Sequence, residues 1–269
     1  MVETRDTTGL AEHRPENLND RQMAIIDRAK VDGFVTVESL AGLMDVSPQT
    51  IRRDIALLCK LGLLRRYHGG ASLVSNSRNA HYSTRQATMW DAKTRLAKAV
   101  AARIPDGSSL FIDIGTTAEA VARQLLDTKR DLRILTTSLG VATMMAAGEG
   151  FEVTMAGGIV RLADLAVFGE AALQALDQYK VDFGIIGISG IDADGTLLDF
   201  DVREARLVNV AIANSRTTYL VTDHTKFGRA AMVKVGPLSS VDALFLDRMP
   251  SNPYDETIRQ SGVSLHVAG

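Results

Sequence analysis

VSPQTIRRDIALLCKLGLLRRYHGGA, residues 46–71, decides how the N-terminal part of the chain folds. Ser47 followed by Pro48 is a helix start: the hydroxyl can accept from a free amide of the first turn, and proline at the first helical position forfeits no hydrogen bond. Ile51, Ile55 and Leu58 recur at i, i+4 and i+7 and set one apolar stripe inward, while Gln49 and Arg53 share the opposite face with Arg52 at its flank. Gly62 stops the helix. Residues 63–67, followed by Gly69 and Gly70, read as a short basic strand and turn carrying Arg65, Arg66 and His68. Upstream, Asn19 or Asp20 can cap a first helix with Met23, Ile26 and Ala29 on one side. Residues 37–44 give a short second helix, and Asp45 with Val46 makes the tight turn before the third.

Three helices and a basic hairpin in this order predict a winged helix-turn-helix. The third helix fits the major groove of a duplex, and the cations of the hairpin can meet flanking phosphates. The residues expected to touch DNA are Ser47, Gln49, Thr50, Arg52, Arg53, Arg65, Arg66 and His68. An amphipathic helix with merely solvated charges would show some of the same pattern. The charge distribution argues for DNA: the chain carries a net −2, yet residues 46–103 hold eleven Lys and Arg against Asp54 and Asp91, a local +9 that leaves −11 elsewhere. VSPQTIRRD (46–54) and YHGGA (67–71) together resemble the signature of the DeoR family of bacterial transcriptional regulators.

A chain of 269 residues, 46% hydrophobic and 23% charged, is globular and long enough for a small module joined to a larger one. It has no apolar run of membrane-spanning length, and its polar N-terminus lacks the apolar core of a signal peptide, so a cytoplasmic protein is expected. Cys59 is the single cysteine, reads as a packing residue and can form no internal disulfide. The five histidines are scattered, without CxxC or HExxH spacing, and neither metal nor cofactor is expected. The expected organisation is a flexible N-terminus (1–17), a winged helix-turn-helix (18–74), a linker rich in Ser, Asn, Thr and Arg (75–92) with Trp90 near its far end, and an α/β domain (93–269).

The last region alternates helical stretches with short apolar runs at 109–113, 132–136, 151–156, 181–188, 218–222 and 243–246; helices are expected at 118–126 and 139–147 among others. That alternation predicts a mostly parallel sheet covered on both faces. The unusual residues fall after the strands: Asp113 with Gly115, Thr116 and Thr117; Thr137 with Ser138; Gly157 and Gly158 with Arg161; Gly187 to Gly190 with Ser189; and Asp223 with Lys226. In an open α/β sheet this carboxyl edge is where ligands bind. Free amides at Gly115 to Ala118 and the hydroxyls of Thr116 and Thr117 can hold a phosphate at a helix N-terminus. Arg161 and Lys226 could neutralise it, leaving Asp113, Glu204 and Asp223 to accept from hydroxyls. Each cluster alone is also compatible with turn geometry. No Rossmann fingerprint or Walker loop is present, which argues against a dinucleotide or nucleoside triphosphate.

IDIGTT (112–117), AGG (156–158), DFGIIGISGID (182–192) and TDHTKFGR (222–229) are similar to the sensor domain of the same family. The resemblance implies a fold related to ribose-5-phosphate isomerase and a phosphorylated metabolite as effector. DADGTLLDFD (192–201) and DHTKFGRAAMV (223–233) point to the branch concerned with glycerol 3-phosphate. Many members carry TNS or TNN where this chain has Thr136-Thr137-Ser138, and often a Lys-Arg pair where it has Val208-Asn209; Arg203 or Arg206 could compensate for the missing cations. Three functions stay open on the residues alone. One is a repressor that binds operator DNA as a homodimer or tetramer and is released by a polyol or sugar phosphate. Another is an isomerase or hydrolase with Asp113 or Glu204 as general base and Lys226 as electrophile. The last is a ligand-independent DNA binder. The family resemblance implies the first, without turnover.

Overall fold

The structure, a computed structural model, describes residues 18–32, 34–61, 63–67, 70–73 and 89–268. The N-terminus 1–17, Gly62, His68, Gly69 and the segment 74–88 with Arg78 and Arg85 lie outside the described residues. The chain divides into two compact units, Met1–Ser77 and Arg78–Gly269.

In the first unit α1 (Asp20–Asp32), β1 (Phe34–Thr36), α2 (Val37–Met44), α3 (Pro48–Lys60), β2 (Leu64–Tyr67) and β3 (Gly70–Leu73) follow one another. The strands form an antiparallel sheet in the order β1-β3-β2. Thr36 caps α2 by accepting from the Ser39 amide at 3.0 Å. Asp45 leaves that helix in the left-handed region at φ 49°, and Ser47 caps α3 by accepting from the Thr50 amide at 3.2 Å, with Pro48 at the first helical position. Ile51, Ile55 and Leu58 are buried against Ile25, Leu40 and Leu64. Asp54 sits on this inward side. Its carboxylate accepts from Gln22 Nε2 at 2.9 Å and from Arg21 Nε at 2.6 Å, tying α3 to α1. Strands β2 and β3 are the expected hairpin, while β1 is unexpected from sequence, because a three-residue strand carries too little periodicity to see.

The second unit is built on seven strands, all parallel, in the order β15-β14-β12-β9-β4-β5-β6. They are β4 (Ser109–Ile112), β5 (Arg133–Thr136), β6 (Glu152–Met155), β9 (Val181–Ile186), β12 (Ser215–Thr222), β14 (Ala243–Leu246) and β15 (Ser264–Val267). Alternate side chains feed two cores. Leu110, Ile112, Ile185 and Phe245 pack with α4 (Trp90–Ala101), α5 (Thr116–Thr128) and α6 (Leu139–Met145). Phe111, Ile186, Leu220 and Leu244 pack with α7 (Glu170–Asp177), α8 (Val202–Ala213) and α9 (Tyr254–Gln260). Trp90 opens α4 and is exposed, where a linker end was expected.

Two smaller pieces escape the sequence reading. The hairpin of β7 (Ile159–Arg161) and β8 (Ala166–Phe168) is antiparallel, as is the three-stranded sheet β10 (Gly190–Ile191), β11 (Thr196–Asp199) and β13 (Val233–Pro237). Val208 is buried in the core and Asn209 is exposed, so the departure at this pair replaces one core position and one solvent position. Among the described residues no helix is long and apolar enough to cross a membrane.

Asp54→Ala should cost the first unit about 1–3 kcal/mol, the range for stripping a buried donor of its acceptor. The melting of the second unit should be unchanged. A first-unit melting temperature equal to that of the parent would show that the α1–α3 clamp contributes nothing.

Candidate functional site

The outward face of α3 carries Gln49, Arg52 and Arg53 in solvent, with Thr50 half-buried. The Ser47 hydroxyl is engaged with both the amide and the hydroxyl of Thr50, the latter at 2.9 Å. It therefore positions the start of the helix. Arg52 lies 3.8 Å from Glu38 of α2 with both side chains exposed, a pairing that contributes little in water. Arg65 and Arg66 lie on β2 opposite Ser72 and Ala71 of β3, and Arg66 is exposed. The Arg65 side chain and all of His68 lie outside the described residues.

In the second unit the chain runs β4, β5, β6 outward in one direction and then returns to place β9 on the other side of β4. The carboxyl ends of β4 and β9 thus flank the point where strand order reverses, the crevice in which such sheets bind ligands. Asp113 follows β4 directly. Its Oδ1 accepts from the Ile114 amide at 2.8 Å and its Oδ2 from the Gly187 amide, just past β9, at 3.2 Å. Burial pushes this carboxyl up to about 7 despite the two amides, and the charge of Glu204 adds to the rise. Gly115 adopts φ 104° and ψ 162°, a region for glycine alone, and a Cβ there would meet nothing within 4 Å. The amides of Thr116, Thr117 and Ala118 precede the first helical bond, from Glu119 N to Gly115 O at 3.0 Å.

At the end of β5, Thr136 donates to Ile112 O at 2.7 Å and accepts from Ser138 N at 3.0 Å, which stitches β5 to β4. Ser138 caps α6 by accepting from the Val141 amide at 3.2 Å. The Thr137 hydroxyl is fully buried with no hydrogen-bond partner, as is that of Thr222 at the end of β12. Gly158 has a structural reason for being glycine: a Cβ would lie 2.3 Å from Phe168 O.

Arg161 is not the free counter-charge that the sequence suggested. Its guanidinium binds Asp164, reaches Asp201 at 3.2 Å and Glu204 at 2.6 Å, and lies 4.5 Å from the Phe168 ring centre. Burial and the neighbouring charge of Asp199 push Glu204 up to about 8, with Arg161 opposing the shift. Asp199 is buried within hydrogen-bonding reach of Glu204, accepts from Ser189 Oγ at 2.9 Å and is likewise raised, chiefly by burial. Carboxylates therefore outnumber cations in this cluster. Arg203 pairs with Asp201 at 2.6 Å and Arg206 with Glu170 at 3.3 Å.

Asp223 follows β12 directly and caps a short 3-10 turn by accepting from the amide and hydroxyl of Thr225. Burial works against its ionisation, but Lys226, Thr225 and Lys93 more than offset this and hold it below the usual carboxylate range. Lys93, near the start of α4, is buried and was missed from sequence. The available signal was its place on the apolar face of that helix, beside Ala92, Leu96 and Ala97. Beyond Asp223, His224 Nδ1 lies 2.7 Å from Asp247, which also accepts the His224 amide at 2.7 Å. The position of Asp247, directly after the short apolar run 243–246, is the one hint of that pair in the sequence.

Residues 21–77 match the DeoR-like helix-turn-helix domain and residues 88–248 the DeoR C terminal sensor domain. The chain is 49% identical over 247 residues to the glycerol-3-phosphate regulon repressor of Escherichia coli (strain K12), covering 92% of this chain and 98% of that one. It is 46% identical over 230 residues to the protein of the same name from Haemophilus influenzae (strain ATCC 51907 / DSM 11121 / KW20 / Rd), covering 86% and 89%. Among solved structures it is similar to ribose 5-phosphate isomerase A from Methanocaldococcus jannaschii, at 16% identity and a TM-score of 0.39, over 52% of this chain and 55% of that one. The chain belongs to the DeoR family of transcriptional regulators.

Asp113 and Glu204 have folded-state pKa values above those of an unfolded chain, so the native state holds their protons more tightly. Their stabilisation is complete below the ordinary carboxylate range and is lost as pH rises through about 7 and about 8. Asp182, Asp201 and Asp223, held low, act in the opposite sense and lose their contribution as pH falls below that range. The second unit should therefore melt at lower temperature at about pH 8.5 than at about pH 5.5, and Glu204→Gln should flatten the slope. A parent profile that rises over this interval would contradict the assignment.

Proposed function

We propose that this chain represses a polyol or sugar catabolic operon, binds operator DNA through α3 and the β2–β3 wing, and is released by a phosphorylated metabolite, with glycerol 3-phosphate as the effector. The observation that carries the effector half is the Gly115 turn at the β4–β9 strand-order reversal, open above the unbonded amides at the start of α5. A phosphate there would accept from the amides of Thr116 to Ala118 and the hydroxyls of Thr116 and Thr117. Lys226 and Lys93 would supply the counter-charge beside Asp223, and Ser138 and Ser189 would border the site. The unpartnered Thr137 hydroxyl and the buried carboxyls of Asp113 and Glu204 suit a ligand rich in hydroxyls. Arg161, already bound to three carboxylates, would hold the wall of the site. General-base chemistry is no part of this reading, because Asp113 is committed to two amides and Glu204 to Arg161.

On DNA, Gln49, Thr50, Arg52 and Arg53 would reach base edges from α3, with Arg65, Arg66 and His68 on phosphates. Near-palindromic operators call for at least a homodimer. An effector that switches occupancy from 99:1 to 1:99 must discriminate the two states by about 10⁴-fold, roughly 5.5 kcal/mol, which a dimer can divide between two sites. Lys93 offers a route outward: it sits near the start of α4, the helix that follows the segment holding Arg78 and Arg85. A phosphate drawing on Lys93 would compete with Asp223 and shift the beginning of that helix.

A thermal-shift screen tests the effector. Glycerol 3-phosphate at 100 times its Kd should add about 2.7 kcal/mol to stability, and glycerol should add none. Equal shifts with both, or no shift with any polyol or sugar phosphate, would overturn the phosphate site. Arg53→Ala should abolish specific DNA binding and keep the ligand shift; retained operator affinity would remove Arg53 from the interface. Arg66→Ala should lower the slope of log K against log salt by about 0.9, and an unchanged slope would take Arg66 off the phosphates.

A further inference from the structure

The β7–β8 hairpin presents apolar side chains that neither the DNA face nor the effector site uses. Ile159 is 74% and Leu162 84% exposed, Val160 and Leu165 are also in solvent, and the exposed Val202 follows Asp201, which Arg161 of β7 binds. Among the described residues β7 pairs with β8 alone, while β8 is bridged on its other side to Ser138. So β7 is a three-residue edge strand whose free side is unpaired and carries neither proline nor a bulge. Its one charge does not face a partner unpaired, because Arg161 is neutralised by Asp164, Asp201 and Glu204 and packed over Phe168. Arg203, 5.0 Å from the same ring, is paired with Asp201.

An antiparallel strand laid against its own copy across a two-fold axis is self-complementary, the property that an isologous interface requires. We infer that the β7–β8 hairpin is the surface through which two copies of this chain pair, β7 running antiparallel to the partner's β7 about an axis near Val160 to form a four-stranded sheet. The apolar patch is on the order of 500 Å² per copy, so a symmetric pair buries about 1,000 Å², at the threshold for a specific interface. The inference rests on the preceding reading only for the two-fold symmetry of the repressor. It also gives that reading a connection: Arg161, the last residue of β7, is bound to Glu204 and Asp201 at the effector edge. Rearrangement around Glu204 would therefore be felt at the dimer axis.

The test is sedimentation velocity on the full chain at micromolar concentration, with Ile159→Asp and Leu162→Asp made separately. Because both side chains are in solvent, each variant should keep its fold, checked by circular dichroism. The parent should sediment as a dimer or tetramer, and each variant as an assembly of half that size or with at least tenfold weaker association. As a measurement that does not rely on disruption, Val160→Cys in a Cys59→Ser background should form a covalent dimer on oxidation. Folded variants that associate like the parent, together with no Val160→Cys cross-link, overturn the hairpin as the interface while leaving a dimeric repressor standing. A parent that is monomeric at concentrations where it binds operator overturns the two-fold reading itself.

Discussion

The carboxylate of Asp113 fixes the geometry on which the sensor edge depends. By accepting from Ile114 on its own strand exit and from Gly187 on the exit of β9, it clamps together the two strands at which the sheet reverses order. The phosphate cradle and one wall of the proposed site are hung from those exits. The Gly115 turn and the start of α5 leave from one, and the Gly187–Gly190 turn, with Ser189 bonded to Asp199, leaves from the other. Burial raises this carboxyl to about 7 although both its oxygens accept from amides.

Charge around this clamp is arranged in two groups. On the α8 side Arg161 faces Asp164, Asp201 and Glu204, with Asp199 adjoining, an excess of carboxylates that holds protons. On the β12 side Asp223 faces Lys226 and Lys93 and stays ionised. A ligand with a dianionic end and a hydroxylated end matches that polarity: the anion belongs with the lysines and the helix start, the hydroxyls with the carboxyls of the α8 side. The same polarity disfavours an anion beside Glu204.

Much of the architecture is legible in the sequence. The helix start at Ser47-Pro48, the stripe Ile51, Ile55 and Leu58, and six of the seven central strands announce themselves through capping and periodicity. The partly exposed β15 does not, because Ser264–Val267 has no continuous apolar run. Nor do the short antiparallel pieces β7, β8, β10, β11 and β13, whose pairing is long-range and leaves no period to read. Of the candidate site, the turns at Gly115 and Thr137 are visible because strand ends can be located. Partners are not: Arg161 and Asp223 look alike as lone charges after a strand, yet one is sequestered by three carboxylates and the other is offset by two lysines. The roles of Asp54 and Lys93 are hidden for the same reason, since the neighbour that a charged residue meets across the fold leaves no trace in the sequence.

A ligand-released repressor requires coupling between the sensor edge and operator affinity. The most direct measurement is fluorescence anisotropy of a labelled duplex carrying the site that the purified protein protects, titrated with protein at fixed salt in the presence and absence of saturating glycerol 3-phosphate. The account predicts that the ligand raises the Kd for operator, by up to about 10⁴-fold for a full switch, and that glycerol leaves it unchanged. An operator Kd that does not move at a glycerol 3-phosphate concentration known to saturate the protein would contradict it.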